Sequence, residues 1–534
     1  MKKFFEKYDL VKLTLGIILI YVILTWLIPT VSFNTGEPVV GDYNRIGIFN
    51  FFEHGFGIIG YFVSSVILVF MIGAFYQFLS KIGSYQKLTD GIAKKIKGKE
   101  LIFLLIISFV FAGLSSIFTE QMALFVFIPF IITICNKLNM DKVITFVSTF
   151  GAVLVGVIGS TIGMKIVAMN TSFFNLEVTD SVSIKIVMFV IAYLVYALSM
   201  ILYMLKNKVS KKVEAMIYIA LVDVLALCFL VFCKFAHHMI YFYVLLGISI
   251  AGLIAYIVYV LKFGKKEKVS KKSAKKSEKV IEIGKSDLFE NKVENSDKSN
   301  RIPLIIVGIL MIIVVILAYL PWTYVFNVDW FTKAYDWAME LNLFGKPVFS
   351  YILGGVTEFG SWSLLGIEVV LVLTMLVLKL CYSISFDELL DSFAEGFKKV
   401  GKIVVVMSLS YLILVLNYFF PIIPTILSEL LGKSFNVFTT VLSGLLSGLF
   451  NGEYQFVLNG VYANFSMLYP ENLSTISVIL QSTFGLMSFI TPASVLLFVG
   501  LSYTDVKYKD WFKFIWKFLV IMLAVIVAIA LIIK

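Results

Sequence analysis

Apolar residues fall along this chain in runs of about twenty, separated by short clusters of lysine and of small polar residues. The runs at 11–31, 57–79 and 302–320 are almost free of charge, and about twenty such residues in helix cross the roughly 30 Å of hydrocarbon in a bilayer. They read as membrane spans. Further spans are expected at 143–170, 183–205, 214–232, 239–261, 363–381, 403–420, from 473 onward and at 511–533, about eleven in all. Two stretches break the pattern. Residues 101–138 are too long for one helix and are interrupted at Ser115-Ser116 and Thr119-Glu120-Gln121. Residues 435–468 repeat that pattern with Ser443-Gly444, Ser447-Gly448 and Asn451-Gly452-Glu453. Both read as re-entrant hairpins, although arms of this length in the first also fit two thin spans joined by a turn.

Charge orients these spans. Lys2, Lys3, Lys7 and Lys12 place the N-terminus in the cytoplasm, and lysines recur after every second span, as the positive-inside bias requires. The first hairpin then enters from the cytoplasm, the second from outside, and the C-terminus ends outside. A net charge of +11 is thereby explained by topology, without nucleic acid as a partner. A cleaved signal peptide fits poorly: the first apolar run extends to Trp26 and Pro29, and no small-residue cleavage site follows. With 60% hydrophobic and 15% charged residues, the chain lies outside the soluble class. The expected organisation is a first repeat at 1–212, a connecting helical hairpin at 213–263, and a cytoplasmic lysine-rich linker at 264–301. A span with an outer aromatic segment follows at 302–362, then a second repeat at 363–534.

From residue 363 the order of span, span, hairpin, broken span and span repeats that of the first half with every direction reversed. The fold class expected is therefore an all-α membrane protein with two hairpins in an inverted repeat. Such repeats place solute and ion sites near the midplane, where hairpin tips and broken helices meet.

The candidate chemistry gathers at those interruptions. Glu120 and Glu453 are carboxylates at bilayer depth, costly unless they carry protons, bind cations or meet a solute amine; an interfacial turn is the alternative. Ser116, Thr119, Gln121, Asn451 and Gly452 share the tips. Gly159-Ser160-Thr161 and Thr491-Pro492-Ala493-Ser494 interrupt spans with hydroxyls beside free backbone groups, which suits a bound carboxylate or a Na⁺ near Gly159, Ser160 and Thr491; helix packing is the competing use of such small residues. Lys165 is a further candidate, with snorkelling to the outer interface as its other reading. Cys135, Cys228, Cys233 and Cys381 form no C-x-x-C pair, and His237-His238 sit at a turn, so neither a metal site nor a disulfide framework is expected. No Walker A, H-E-x-x-H or G-x-S-x-G motif is present, which argues against ATP drive and against a membrane enzyme. The reading is a secondary transporter, with a channel or structural membrane subunit as the alternative.

In Thr119-Glu120-Gln121-Met122, Ile128-Pro129, Gly159-Ser160-Thr161, Phe484-Gly485, Ile490-Thr491-Pro492-Ala493-Ser494 and Tyr508-Lys509-Asp510-Trp511-Phe512, the chain resembles the C4-dicarboxylate anaerobic carrier-like (YfcC-like) family of the ion transporter superfamily. The resemblance spans most of both halves. It implies a homodimeric carrier in the cell membrane, with a scaffold and a moving transport part. Na⁺ or H⁺ would drive symport or exchange of dicarboxylates, amino acids or related small molecules, without a further cofactor. The chain departs from that family at Asn451-Gly452-Glu453-Tyr454, where a Ser/Gly-rich turn is usual, and at Ile162-Gly163, where Asn-Pro often stands. The added negative charge shifts the expectation toward a zwitterionic or cationic amino acid, or a proton-coupled cycle.

Overall fold

The computed structural model describes residues 9–34, 37–205, 217–226 and 300–534. Among them, strands are confined to two small ribbons, Val31–Asn34 with Glu37–Val40 and Asn342–Leu343 with Lys346–Pro347. Eight described helices of at least 18 residues are apolar enough to cross a membrane: Asp9–Leu27, Val63–Ser80, Glu100–Ile117, Val182–Met204, Ile302–Tyr319, Leu364–Tyr382, Phe386–Phe419 and Tyr508–Ile533. Their outer faces expose Leu19, Ile23, Ile305, Ile306, Leu365 and Leu373, an apolar girdle that only lipid satisfies. The chain is a multi-pass, all-α membrane protein. Of the expected crossings, 239–261 lies outside the described residues, and of 214–232 only Ile217–Ala226 is described, as helix. Cys228, Cys233, His237, His238 and linker residues 264–299 also lie outside them; Cys135 and Cys381 are free thiols.

One order of elements occurs twice. After Val63–Ser80 come the amphipathic helix Gly83–Ile96, a hairpin of Glu100–Ile117 and Ile128–Lys137, a helix interrupted between Phe150–Ile158 and Met164–Phe174, and Val182–Met204. After Phe386–Phe419 come Ile423–Leu430, a hairpin of Val437–Phe450 and Tyr454–Leu468, a helix interrupted between Leu473–Met487 and Val495–Thr504, and Tyr508–Ile533.

Two local expectations are corrected. The amphipathic piece at 386–402 and the span at 403–420 form one helix of 34 residues. It opens with a capping box between Ser385 and Glu388, and no proline interrupts it, so a change from polar to apolar surroundings need not end it. In the first hairpin Ser115 and Ser116 stay helical; the break falls at Phe118–Glu120. Their hydroxyls donate instead to the Val153 and Gly159 carbonyls, each at 2.8 Å. The segment 321–362, expected only as aromatic-rich, contains the short helices Trp330–Glu340 and Val348–Leu353.

The two halves lock where Val63–Ser80 crosses Phe386–Phe419. Gly73 and Gly396 meet there so closely that a Cβ at 396 would lie 2.5 Å from the Gly73 carbonyl oxygen and 2.6 Å from the Ala74 Cα. Small residues permit this approach of backbones, from which membrane helices gain packing attraction. Gly396→Val should lower the detergent melting temperature and the yield of folded protein, at an overpacking cost of about 1–3 kcal/mol. Unchanged melting would mean that the crossing is not a point of close contact.

Candidate functional site

Each hairpin tip is a short extended segment with an acid at its end. Glu120 precedes the 3₁₀ turn Gln121–Val126 and Glu453 precedes Tyr454–Leu468, both with extended backbone. A carboxylate at a helix start faces the positive end of the peptide dipoles, a favourable place for it. Lys165 sits in the first turn of Met164–Phe174, where the same field disfavours a cation. The carboxylates compensate: Lys165 Nζ lies 3.2 Å from Glu120 Oε2 and 3.4 Å from Glu453 Oε2. One lysine on the broken helix of the first half thus joins the two hairpin tips. The side chains are 33%, 20% and 21% exposed for Lys165, Glu120 and Glu453, so the triad is shielded yet within reach of a solute. With both acids ionised it carries one net negative charge. Tyr411, on Phe386–Phe419, is buried within electrostatic reach of all three and donates to Ser65 Oγ at 3.1 Å.

Behind the triad, each interrupted helix is tied to its own hairpin. In the first half Ser116 Oγ donates to the Gly159 carbonyl and meets Thr161 Oγ1 at 3.0 Å, while the Thr161 N–H donates to the Ser116 carbonyl at 3.0 Å. Ser160 Oγ contacts the same carbonyl at 3.4 Å. Ile162-Gly163 follow, and a Cβ at Gly163 would sit 2.8 Å from Ser160 Oγ and 3.0 Å from the Phe118 carbonyl. In the second half Thr491 Oγ1 donates to the Leu449 carbonyl and accepts from the Ala493 N–H. Pro492 is buried beside it, and Ser494 caps Val495–Thr504 by accepting from Leu497 N–H. Gly452 packs on the Ala493 carbonyl.

The halves also interlock through amides. Gln481 Nε2 donates to the Ser160 carbonyl at 2.6 Å, and Tyr454 donates to Asn170 Oδ1 at 2.8 Å. Asn451 Nδ2 donates to the Ser447 carbonyl, Asn417 Nδ2 donates to Asn451 Oδ1 at 2.9 Å, and Tyr21 donates to Asn417 Oδ1 at 2.8 Å. Among the described residues, five buried polar atoms on the hairpins and interrupted helices have no partner: Thr119 Oγ1, Asn170 Nδ2, Asn464 Oδ1, Gln481 Oε1 and Ser502 Oγ. Buried polar groups are seldom left so.

The structure therefore joins Glu120 to Glu453, gathers Ser116, Gly159, Ser160 and Thr161 into one cluster, and gathers Asn451, Gly452, Thr491, Pro492 and Ser494 into another. Gln121 is buried in the 3₁₀ turn, and the Thr119 N–H is held by the Tyr319 carbonyl at 2.9 Å. Among the described residues no hydrogen bond joins Thr491 to Gly159 or Ser160. Lys165 is paired at its terminal nitrogen. Sequence reasoning passed over Asn170, Tyr411, Asn417, Tyr454 and Gln481; the amides among them were visible as lone carboxamides inside apolar runs. A groove of about 620 Å³ with an apolar lining lies between Asp9–Leu27 and the stretch around Ile46–Phe52. None of its lining residues belongs to the site.

No family profile and no curated protein matches the sequence. Among solved structures, the crystal structure of the Alcanivorax borkumensis YdaH transporter aligns over 97% of this chain and 98% of its own, at 10% identity and a TM-score of 0.36. So loose a superposition carries no argument about residues or activity, and the YfcC-like resemblance rests on its motif residues.

Proposed function

We propose that this protein is a secondary active transporter of a small, carboxylate-bearing solute of the amino-acid type, driven by Na⁺ or H⁺. The observation that carries this reading is the Lys165 bridge between Glu120 and Glu453. Charged side chains within a membrane are expensive and concentrate on solute and ion paths. Here three converge where hairpin tips and an interrupted helix meet, as irregular backbone at membrane depth does around a transport site. A zwitterion complements the triad: its ammonium replaces Lys165 at the carboxylates, and its carboxylate takes Lys165 and the N–H groups of the adjoining helix starts. The residual negative charge favours co-binding of one cation. In the empty carrier Lys165 offsets part of the charge of the two acids, which lowers the cost of moving them away from water. The orientation is that of the lysine pattern, N-terminus in the cytoplasm and C-terminus outside, and the motif resemblance adds a homodimer in the cell membrane.

Two measurements test the reading. Melting of the purified protein should rise with an amino acid or amino-dicarboxylate, more so with Na⁺ or at one of two pH values, because a ligand of the folded state stabilises it. Glu120→Gln and Glu453→Gln should each cut uptake in vesicles by tenfold or more while leaving insertion and monodispersity intact. Normal uptake in both variants would remove the triad from the transport path.

A further inference from the structure

The helix Leu364–Tyr382 carries a third intramembrane acid, Glu368, that plays no part in the triad. It is 5% exposed and its Oε1 is buried without a hydrogen-bond partner. It lies on the covered stripe of its helix with Ile367, Leu371 and Met375, while its neighbours Leu365 and Val369 face outward at 59% and 48% exposure.

The described elements packed most closely against this helix, Val63–Ser80, Ile302–Tyr319 and the turn Gln121–Val126, contain neither acid nor base. Their titratable groups are Tyr76 and Tyr319; on the helix itself Lys379, Cys381 and Tyr382 lie at the far end. Tyr319 alone of these links Glu368 to the transport site. Its hydroxyl donates to the Ser363 carbonyl at 2.9 Å, at the start of the helix that carries Glu368, and lies within electrostatic reach of both Glu368 and Glu120. Its backbone carbonyl accepts the Thr119 N–H, one residue before Glu120, and its ring stacks on Phe118 of the same tip.

Resting on the transporter reading, we infer that Glu368 is a proton-coupling site, distinct from the triad and joined to the first hairpin tip through Tyr319. A Na⁺ site needs several converging oxygens, whereas a proton needs a single carboxylate oxygen; among the described residues Glu368 Oε1 has no hydrogen-bond partner. The carboxylate takes one proton from water on the side to which the carrier is open, crosses as the neutral acid, and returns that proton to water on the other side. While ionised it adds a second negative charge beyond Tyr319 from Glu120. Protonation removes that repulsion and changes the field in which Tyr319 holds the tip.

The test uses the full-length protein in vesicles and in detergent. An inward proton gradient should raise wild-type uptake of a solute found in the melting panel severalfold over uptake without a gradient. In Glu368→Gln that response should vanish while solute counterflow, which needs no net proton movement, persists. Glu368→Asp should restore part of it. Infrared difference spectra between acid and neutral pH should show a carboxylic C=O band in wild type that Glu368→Gln lacks. A gradient response retained in Glu368→Gln, or identical infrared bands in the two proteins, overturns the assignment. Absence of counterflow in wild type itself would instead bring down the transporter reading, and the infrared comparison would still decide whether Glu368 binds a proton.

Discussion

Lys165→Met is expected to abolish solute uptake and to lower the melting temperature of the purified protein. The variant leaves Glu120 and Glu453 facing one another without the cation that lies 3.2 and 3.4 Å from their oxygens. Removing one partner of a buried ion pair costs about 3–5 kcal/mol, and partial exposure of this triad places the expected loss toward or below the lower limit. Repulsion between the abandoned acids makes the defect reversible by a second change. Lys165→Met with Glu453→Gln restores the triad charge of minus one and should recover most of the melting temperature, but not transport, because no cation is left for a solute carboxylate. Melting of the single and double variants, read as a double-mutant cycle, checks the pairing. A single variant as stable as wild type would mean that Lys165 does not hold the two tips together.

Gly452→Ala is the second large effect. A Cβ at this position would lie 2.0 Å from the Ala493 carbonyl oxygen and 3.0 Å from its carbon. These are backbone atoms of the interrupted helix, held in place by Thr491 and the Ser494 cap, so the clash cannot be relieved by a rotamer. The tip must move away, and Glu453 with it. Transport should fall by at least tenfold, with a stability loss at or above the roughly 1–3 kcal/mol usual for overpacking. Gly460→Ala is the control eight residues on: its nearest neighbour would be Ser447 Oγ at 3.8 Å, an ordinary contact. Inside a helix that change is neutral or stabilising by roughly 0.5–1 kcal/mol. Equal behaviour of the two variants, measured by uptake and by melting, would refute the close approach at Gly452.

Glu120 and Glu453 were legible as candidates because a carboxylate in an apolar run has few uses other than chemistry. Their meeting was not, because 333 positions separate them along the chain and only folding of the two halves together sets that distance. Lys165 illustrates the same limit: one residue beyond Met164, the sequence allows snorkelling or pairing equally well. Ser115 and Ser116 misplaced the first break because their hydroxyls can leave the helix or serve a neighbouring one, and here they donate to the Val153 and Gly159 carbonyls, in and just after the packed helix Phe150–Ile158. Glu368 escaped notice inside a run that reads simply as a span.

The chain by itself determined its solvent, its helical class, the order of elements repeated in its two halves, and the regions, though not always the residues, where helices break. These follow from local physics: apolar runs long enough to cross hydrocarbon, and glycine, proline and polar residues that interrupt them. The tertiary structure alone decided which breaks pair, that one lysine bridges acids from both hairpins, that Gly73 and Gly396 bring the halves into contact, and that Glu368 is left without a partner. Those outcomes depend on contacts between residues hundreds of positions apart, set by the packing of all the helices at once, and no local pattern encodes them.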